Sequence, residues 1–440
     1  MTARGSAALV ALATIAAYAG AAGTTWQYDD FRVVVIERDV HSWTAWWAAM
    51  PGLRPLTKAS YVANWTLSQA PMGFALAGVA LHLAAALVVL ALARAWLPAM
   101  APGVARPEFA ALACALVYAL HPAQTEAAVY IAARSTTLST LLTLLGLLAW
   151  ERARAGNPVA WRAATVACLA LSLAAREAAW TLPFLLVLVE LARGDSFASA
   201  LRRTAPAWIA LALAATAVIA VGANRTLVRQ SLAIRDPIDN LVSQVDAVVY
   251  LVAHPFATLR LNFDPDLSVR TVLDAAWLAK LAAAGALVAI GVVQIARRRW
   301  LGFAMLWFAV ALAPTHGPLA RYELANDRQL HLAMVGPALA VGVWLASWRR
   351  QTAAVAGLAA LALLLGLATH ARVGDYESEA KLWGATVRAS PGNARAWNNL
   401  GYALEQDGDA AGARAAYERA LALDPTHRKA RGNVDALPLR

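Results

Sequence analysis

Along most of this chain, apolar residues run unbroken for roughly 17–22 positions, the length of helix that crosses about 30 Å of hydrocarbon. Short clusters of arginine separate the runs. They lie near residues 6–23, 74–93, 108–121, 135–150, 161–175, 178–192, 205–222, 275–296, 300–315, 330–347 and 352–369. The pattern predicts an all-α, polytopic membrane protein of about eleven transmembrane helices. The stretch QVDAVVYLVAHPFATLRL, residues 244–261, is apolar but carries Asp246, His254, Pro255 and Arg260, and is read as an interfacial or re-entrant helix.

After His370 the long runs stop and a soluble helical rhythm begins, so the chain divides into a membrane domain, 1–370, and a tail, 371–440. Residues 394–425 place Trp397, Leu400, Gly401, Gly408, Ala413, Tyr417, Ala420 and Pro425 at tetratricopeptide spacing. Leu404 stands where the repeat usually has Tyr. Small residues let two antiparallel helices approach, and Trp397 and Tyr417 are expected to fill the groove between them. Such repeats need neighbours to bury their faces, so the tail is expected to pack on the membrane domain or on a protein partner.

Charge refines the picture. The net charge of +11 invites a nucleic-acid reading, but the basic residues sit in small groups between the apolar runs. These are Arg94 and Arg106; Arg152, Arg154 and Arg162; Arg193, Arg202 and Arg203; Arg297 to Arg299; and Arg349 with Arg350. The positive-inside rule explains that arrangement, with Arg4 and the N-terminus cytoplasmic and the tail on the outer face. No nucleic-acid partner is expected. Abundant Ala, and Arg over Lys, suit a high-GC bacterium, hence an inner-membrane location with a periplasmic tail. The run ending AYAGAAG is read as a retained helix rather than a cleaved leader. Cys114 and Cys168 both lie in apolar runs and suggest neither a disulfide nor a metal site.

Four polar constellations fall in loops assigned to one face. The first holds Asp29 and Asp30, then Trp43, Trp46 and Trp47, then RPLTKASYVAN with Arg54, Ser60, Tyr61 and Asn64. The second, HPAQTEAAVYIAARS, holds His121, Glu126, Tyr130 and Arg134. Arg176 and Glu177 form the third, and THGPLARYELANDRQLHLAMVG, with His316, Arg321, Glu323, Asp327, Arg328 and His331, the fourth. Ionised groups are costly near hydrocarbon, so their gathering points to a site. Each has a plainer reading alone. The acidic pair could cap a helix, the tryptophans form an interfacial belt, and His121-Pro122 turn the chain. His82 reads as a helix-contact histidine, and Asp264-Pro265-Asp266 as a loop turn rather than a metal-binding Asp-x-Asp. No phosphate-cradling glycine loop, zinc spacing or Ser-His-Asp arrangement is present.

The order of these motifs resembles the transmembrane and tetratricopeptide-repeat O-mannosyltransferases and their bacterial relatives, in the GT-C superfamily. RPLTKASYVAN and HPAQTEAAVYIAARS carry the resemblance. The chain departs from the family's GFHxxNxxLH, reading GFALAGVALH with Ala75 and Gly78 in place of His and Asn, and it has His331 where Tyr is usual. The resemblance implies an inverting glycosyltransferase that moves a mannose-like sugar from a polyprenyl-phosphate donor to a hydroxyl of a protein, lipid or glycan. One carboxylate base suffices for such a displacement. Asp29 is the expected base, with Asp30 orienting the acceptor. Arginines suit the leaving phosphate because a guanidinium can chelate two oxygens. Arg328 and Arg134 are expected there, with Arg54 and Arg176 in support and Glu126 and Asp327 among the substrate-binding residues. No metal or cofactor beyond the lipid-linked donor is required. The rival class is a membrane scaffold that uses the repeat for partner docking.

Overall fold

The computed structural model describes residues 2–50, 52–177, 179–220, 222–256 and 261–437, and every regular element among them is helical. The first part of the chain forms α1 (Ala3–Ala17), α2 (Trp43–Ala48), α3 (Pro55–Leu67), α4 (Pro71–Met100), α5 (Pro107–Leu120) and α6 (Thr125–Val129). Next come α7 (Arg134–Arg152), α8 (Pro158–Ala175), α9 (Leu182–Arg193), α10 (Phe197–Arg203), α11 (Ala205–Ala220), α12 (Gly222–Ile234) and α13 (Pro237–Ala253). Then α14 (Ala275–Arg297), α15 (Arg299–Leu312), α16 (Leu330–Ala333), α17 (Val335–Ala346) and α18 (Gln351–Asp375) complete the apolar part. Starts are written locally: α3, α4, α5, α8 and α13 each begin on proline, whose missing N–H costs nothing in a first turn. Asn157 and Asp274 cap α8 and α14 by accepting backbone N–H groups.

Each of the eleven apolar runs falls mainly on helix, with Ala178 in the sixth and Val221 in the seventh outside the described residues. Spanning eleven times is nevertheless not what the structure shows. Among the described residues, five helices are long and apolar enough to cross a membrane: α4, Ile131–Arg152, α8, α14 and α18. Asp327–Ala333 and α17 make a sixth only if their 57° bend is one broken span. The rest are short; α1, at 15 residues, rises only roughly 22 Å. Run length in sequence counts apolar residues, whereas span length depends on where turns interrupt them. The segment read as interfacial is α13, which is not among the spanning candidates. Arg260 lies outside the described residues.

The bundle is built around α5, buried at every residue from Ala110 to Leu120 between α4 and α17. Small residues allow the close contacts. A side chain at Gly78 would put its Cβ 2.3 Å from the Ala128 carbonyl oxygen, so this chain has no room for a larger residue there. His82 makes helix contacts, 3.0 Å to the Ala119 carbonyl and 3.1 Å to His331.

The tail is helical throughout: α19 (Glu379–Ala389), α20 (Ala394–Gln406), α21 (Ala410–Leu423) and α22 (Arg428–Ala436). Tyr417 is fully buried against Gly401, where an added Cβ would come within 2.5 Å of its ring. Trp397 does not share that groove. It packs against the main apolar core, to which Leu382, Trp383, Val387, Ala396 and Ala403 also belong. The repeat meets the membrane part through loop residues, Tyr28, Asn262, Asp264, Asp266 and Glu323.

Candidate active site

The segment after α1 is fastened at both ends to the junction between α18 and α19. Thr25 Oγ1 donates to the Glu377 carbonyl at 3.1 Å, and the Gln27 amide donates to the Tyr376 carbonyl. Tyr28 has φ of +44°, a left-handed conformation uncommon for a residue with a bulky side chain. Its N–H donates to Glu379 Oε1 at 2.8 Å, and its ring meets the edge of Trp383. Strain of this kind persists only where surroundings impose it, and it clusters at functional sites.

The turn at Tyr28 sends the two aspartates to different places. Asp30 is buried, its Oδ1 accepting the Ala132 N–H at 2.7 Å and its Oδ2 the Gln27 N–H at 3.1 Å. Both oxygens are taken by backbone, so the geometry gives Asp30 a bracing task rather than the acceptor-orienting one expected of it. Burial pushes its carboxyl well above the usual range, against those two hydrogen bonds. Asp29 is half-buried, and its N–H donates to Tyr130 Oη at 3.1 Å. Asp29 lines a small cleft with Tyr28, Glu323, Arg328 and Arg395. Burial raises its pKa, while Arg328 opposes the rise.

Arg328 reaches the cleft from the short turn before α16 and is held by Glu126 on α6. Glu126 Oε2 accepts the Arg328 N–H at 3.0 Å and Oε1 accepts Nη1 at 2.9 Å. The Arg328 guanidinium also lies 5.9 Å from the Tyr130 ring centre. Burial pushes the Glu126 carboxyl up to about 7, against the pull of Arg328. Asp327 points the other way. It accepts the Asn262 N–H at 3.1 Å and lies 3.6 Å from His254 Nε2 and 3.7 Å from Arg372. It anchors the turn and does not line the cleft.

A second groove lies beside the same turn, which contributes Gln329 to it. Thr136, Ser139, Thr140 and Thr143 from α7 line it, with Arg176 and Gln329. Arg176 donates to Thr136 Oγ1, and to Ser135 Oγ at 3.3 Å. Arg54, itself at φ +50°, grips Glu177 through Nε at 2.8 Å and Nη2 at 2.5 Å. Burial, then the like charges of Arg321 and Arg54, hold Arg176 well below its ordinary range. Burial likewise lowers Arg321 despite Glu177 nearby. Three guanidiniums, Arg54, Arg176 and Arg321, thus gather around Glu177, with Glu323 also acting on Arg321. That corner favours an anion.

Arg134 joins neither cavity. Its guanidinium donates to Asn64 Oδ1 at 2.6 Å, to the Ser60 carbonyl at 3.2 Å and to the Phe74 carbonyl at 2.8 Å. It lies 4.7 Å from the Tyr61 ring centre and 5.2 Å from that of Phe74. A buried cation so engaged is a fastener between α3, α4 and α7. Arg134→Ala is therefore expected to lower stability by about 3–5 kcal/mol, since three acceptors lose their donor. Thermal unfolding in detergent should show the loss. A variant of normal stability with weakened donor binding would return Arg134 to the site.

Asp29, Glu126 and Arg328 bring the first, second and fourth constellations together at the cleft, while Arg176 of the third lines the separate groove; the tail adds what the motifs did not mark. Arg395 on α20 donates through Nε to Asp264 Oδ2 at 2.9 Å, and its Nη1 lies 3.3 Å from Glu323 Oε1. Asp264, read as a turn, is thereby a member of the cleft wall. Glu379 and Arg395 carry no spacing signal that would have marked them; they are ordinary polar positions of a helical repeat.

The chain matches the Tetratricopeptide repeat model over residues 394–427. It is similar to the Protein O-mannosyl-transferase Tmtc2 of Drosophila melanogaster, 28% identical over 202 residues. That match covers 41% of this chain and 21% of the fly protein, so the chain spans only a fraction of its length. No solved structure matches.

Proposed function

We propose that this protein is an inverting membrane glycosyltransferase that passes a mannose-like sugar from a polyprenyl phosphate to a hydroxyl acceptor. One observation carries the reading: Asp29 and Arg328 line the same cleft, set in position by different loops. The likeness to a protein O-mannosyl-transferase supports it.

The acceptor oxygen attacks the anomeric carbon while the bond from that carbon to the phosphate oxygen breaks. The bonding pair leaves with the polyprenyl phosphate, and Asp29 takes the acceptor's proton. A carboxylate whose pKa is raised by burial holds that proton more readily than an exposed one. Arg328 faces the growing phosphate charge, and the Arg54, Arg176 and Arg321 corner adds positive potential beyond it. The hydroxyl-lined groove beside Arg176 suits the donor's polar head, with its chain in lipid. A location in a bacterial inner membrane, with the cleft and the tail on the outer face, belongs to the same reading.

Purified protein in nanodiscs should consume polyprenyl-phosphate mannose when given a hydroxyl acceptor, and the product should carry the anomer opposite to the donor's. Retention of configuration would exclude the single displacement. Failure to consume any lipid-linked sugar, with membrane binding of a protein partner intact, would favour the scaffold reading.

A further inference from the structure

The tail meets the membrane domain at the cleft itself. Glu379 from α19 accepts the Tyr28 N–H at 2.8 Å, one residue from Asp29. Arg395 from α20 holds Asp264 at 2.6 Å and reaches Glu323 at 3.3 Å across the cleft wall. Ser390, which follows α19, bonds both Asn262 and the Asp266 N–H, and Asn393 donates to the Asp264 carbonyl at 3.1 Å. These contacts order the very segments that carry Asp29 and its charged neighbours. A module that merely docked partners would have no need of them.

We propose that the tetratricopeptide tail is a working wall of the transfer site: Glu379 and Arg395 are positioning residues that fix the Asp29 carboxylate and set the charge around it. The inference rests on the reading of Asp29 as the base. Its physical content is a pair of levers. Glu379 holds Tyr28 in its left-handed turn, and that turn parts Asp29 from Asp30. Arg395 pairs with Asp264 and, together with Arg328, offsets the negative charge of Glu323 beside Asp29.

The groups around Asp29 come from every element packed on it. Arg328 and Glu323 come from the late loop, Tyr130 from the second loop, Asp264 from the segment after α13, and Arg32, Tyr28 and Asp30 from its own. Arg395 and Glu379 complete the set from the tail. Among them Arg395 pulls the Asp29 pKa down and Glu323 pushes it up. A base must be ionised, so activity is full above its pKa and lost as pH falls through it. Removing Arg395 should move the acid limb of the rate profile to higher pH, and removing Glu323 should move it to lower pH.

The experiment is the pH dependence of transfer by the full-length protein in nanodiscs, with polyprenyl-phosphate mannose as donor. Arg395→Gln should raise the acid limb, and Glu323→Gln lower it, each by about half to one pH unit. Arg395→Lys should stay near the parent. Glu379→Ala should lower kcat roughly tenfold with the donor KM unchanged, and Glu379→Gln, whose amide oxygen can still accept the Tyr28 N–H, should recover most of it. If Arg395→Gln does not fold, Glu323→Gln and the Glu379 pair still decide. Unmoved limbs, or a Glu379→Ala enzyme like the parent, overturn the inference while an inactive Asp29→Asn leaves the base reading standing. An active Asp29→Asn overturns both.

Discussion

Asp29→Asn is expected to abolish sugar transfer while leaving membrane insertion and donor binding intact. An acceptor hydroxyl is a weak nucleophile, and losing the group that takes its proton should cost about 10²–10⁴-fold in rate. The amide keeps the size and some hydrogen bonding of the carboxylate, so the substitution isolates proton acceptance. Asp29 is suited to this test because its own structural bond is made by its backbone N–H to Tyr130, which the substitution does not touch. Asp30→Asn makes the opposite case. Its two oxygens accept from Gln27 and Ala132, and an amide nitrogen would meet one of those N–H groups. That mismatch should cost about 1–3 kcal/mol in loop stability, with a milder loss of rate. Single-turnover kinetics and thermal unfolding of both variants separate the roles. An inactive but fully stable Asp30→Asn beside an active Asp29→Asn would exchange them.

Arg328→Ala is expected to raise the donor KM and lower turnover, together by about 10–100-fold, the worth of a charge-assisted contact of roughly 1.5–3 kcal/mol. Arg328→Lys should recover part, since the charge remains but the fork geometry is lost. The alanine variant has a second consequence. Glu126 is buried, and Arg328 supplies both of its hydrogen bonds. Without the guanidinium, and with the backbone N–H bond and Arg372 left to it, its carboxyl, already pushed up to about 7, should rise further and take up a proton. Stability should fall as well, because a buried acid then lacks its countercharge. Adding Glu126→Gln should restore stability without restoring donor affinity. Recovery of donor affinity in the double variant would mean that Arg328 acts only by neutralising Glu126.

The sequence made the class of this protein plain, because the cost of burying polar backbone and charge in hydrocarbon acts residue by residue and leaves its mark in run length. The eleven apolar runs fall mainly on helices, and the residues at repeat spacing form the expected helical pair, closed by Tyr417 against Gly401. The sequence also brought forward the loops that meet at the cleft, since charges held beside a membrane stand out. It could not say how many runs span, because α1 and α5 are cut short by turns that hydropathy averages over.

Nor could it divide the labour between neighbours. Asp29 and Asp30 read as an equal pair, and only the left-handed turn at Tyr28 sets one at the cleft and turns the other's carboxylate to backbone N–H groups. Arg134 and Arg328 read as equal phosphate ligands, yet one is walled in by Tyr61, Phe74 and Asn64 while the other opens on the cleft with Asp29. Glu379 and Arg395 were silent as sequence. Their place at the site comes from contacts between segments more than seventy residues apart, with Arg395 reaching Glu323 and Glu379 reaching Tyr28. Periodicity reports which face of a helix is apolar, a property of near neighbours along the chain. Which side chain faces a cavity, and which is used to build its wall, is settled only when distant segments pack and compete for the same hydrogen bonds.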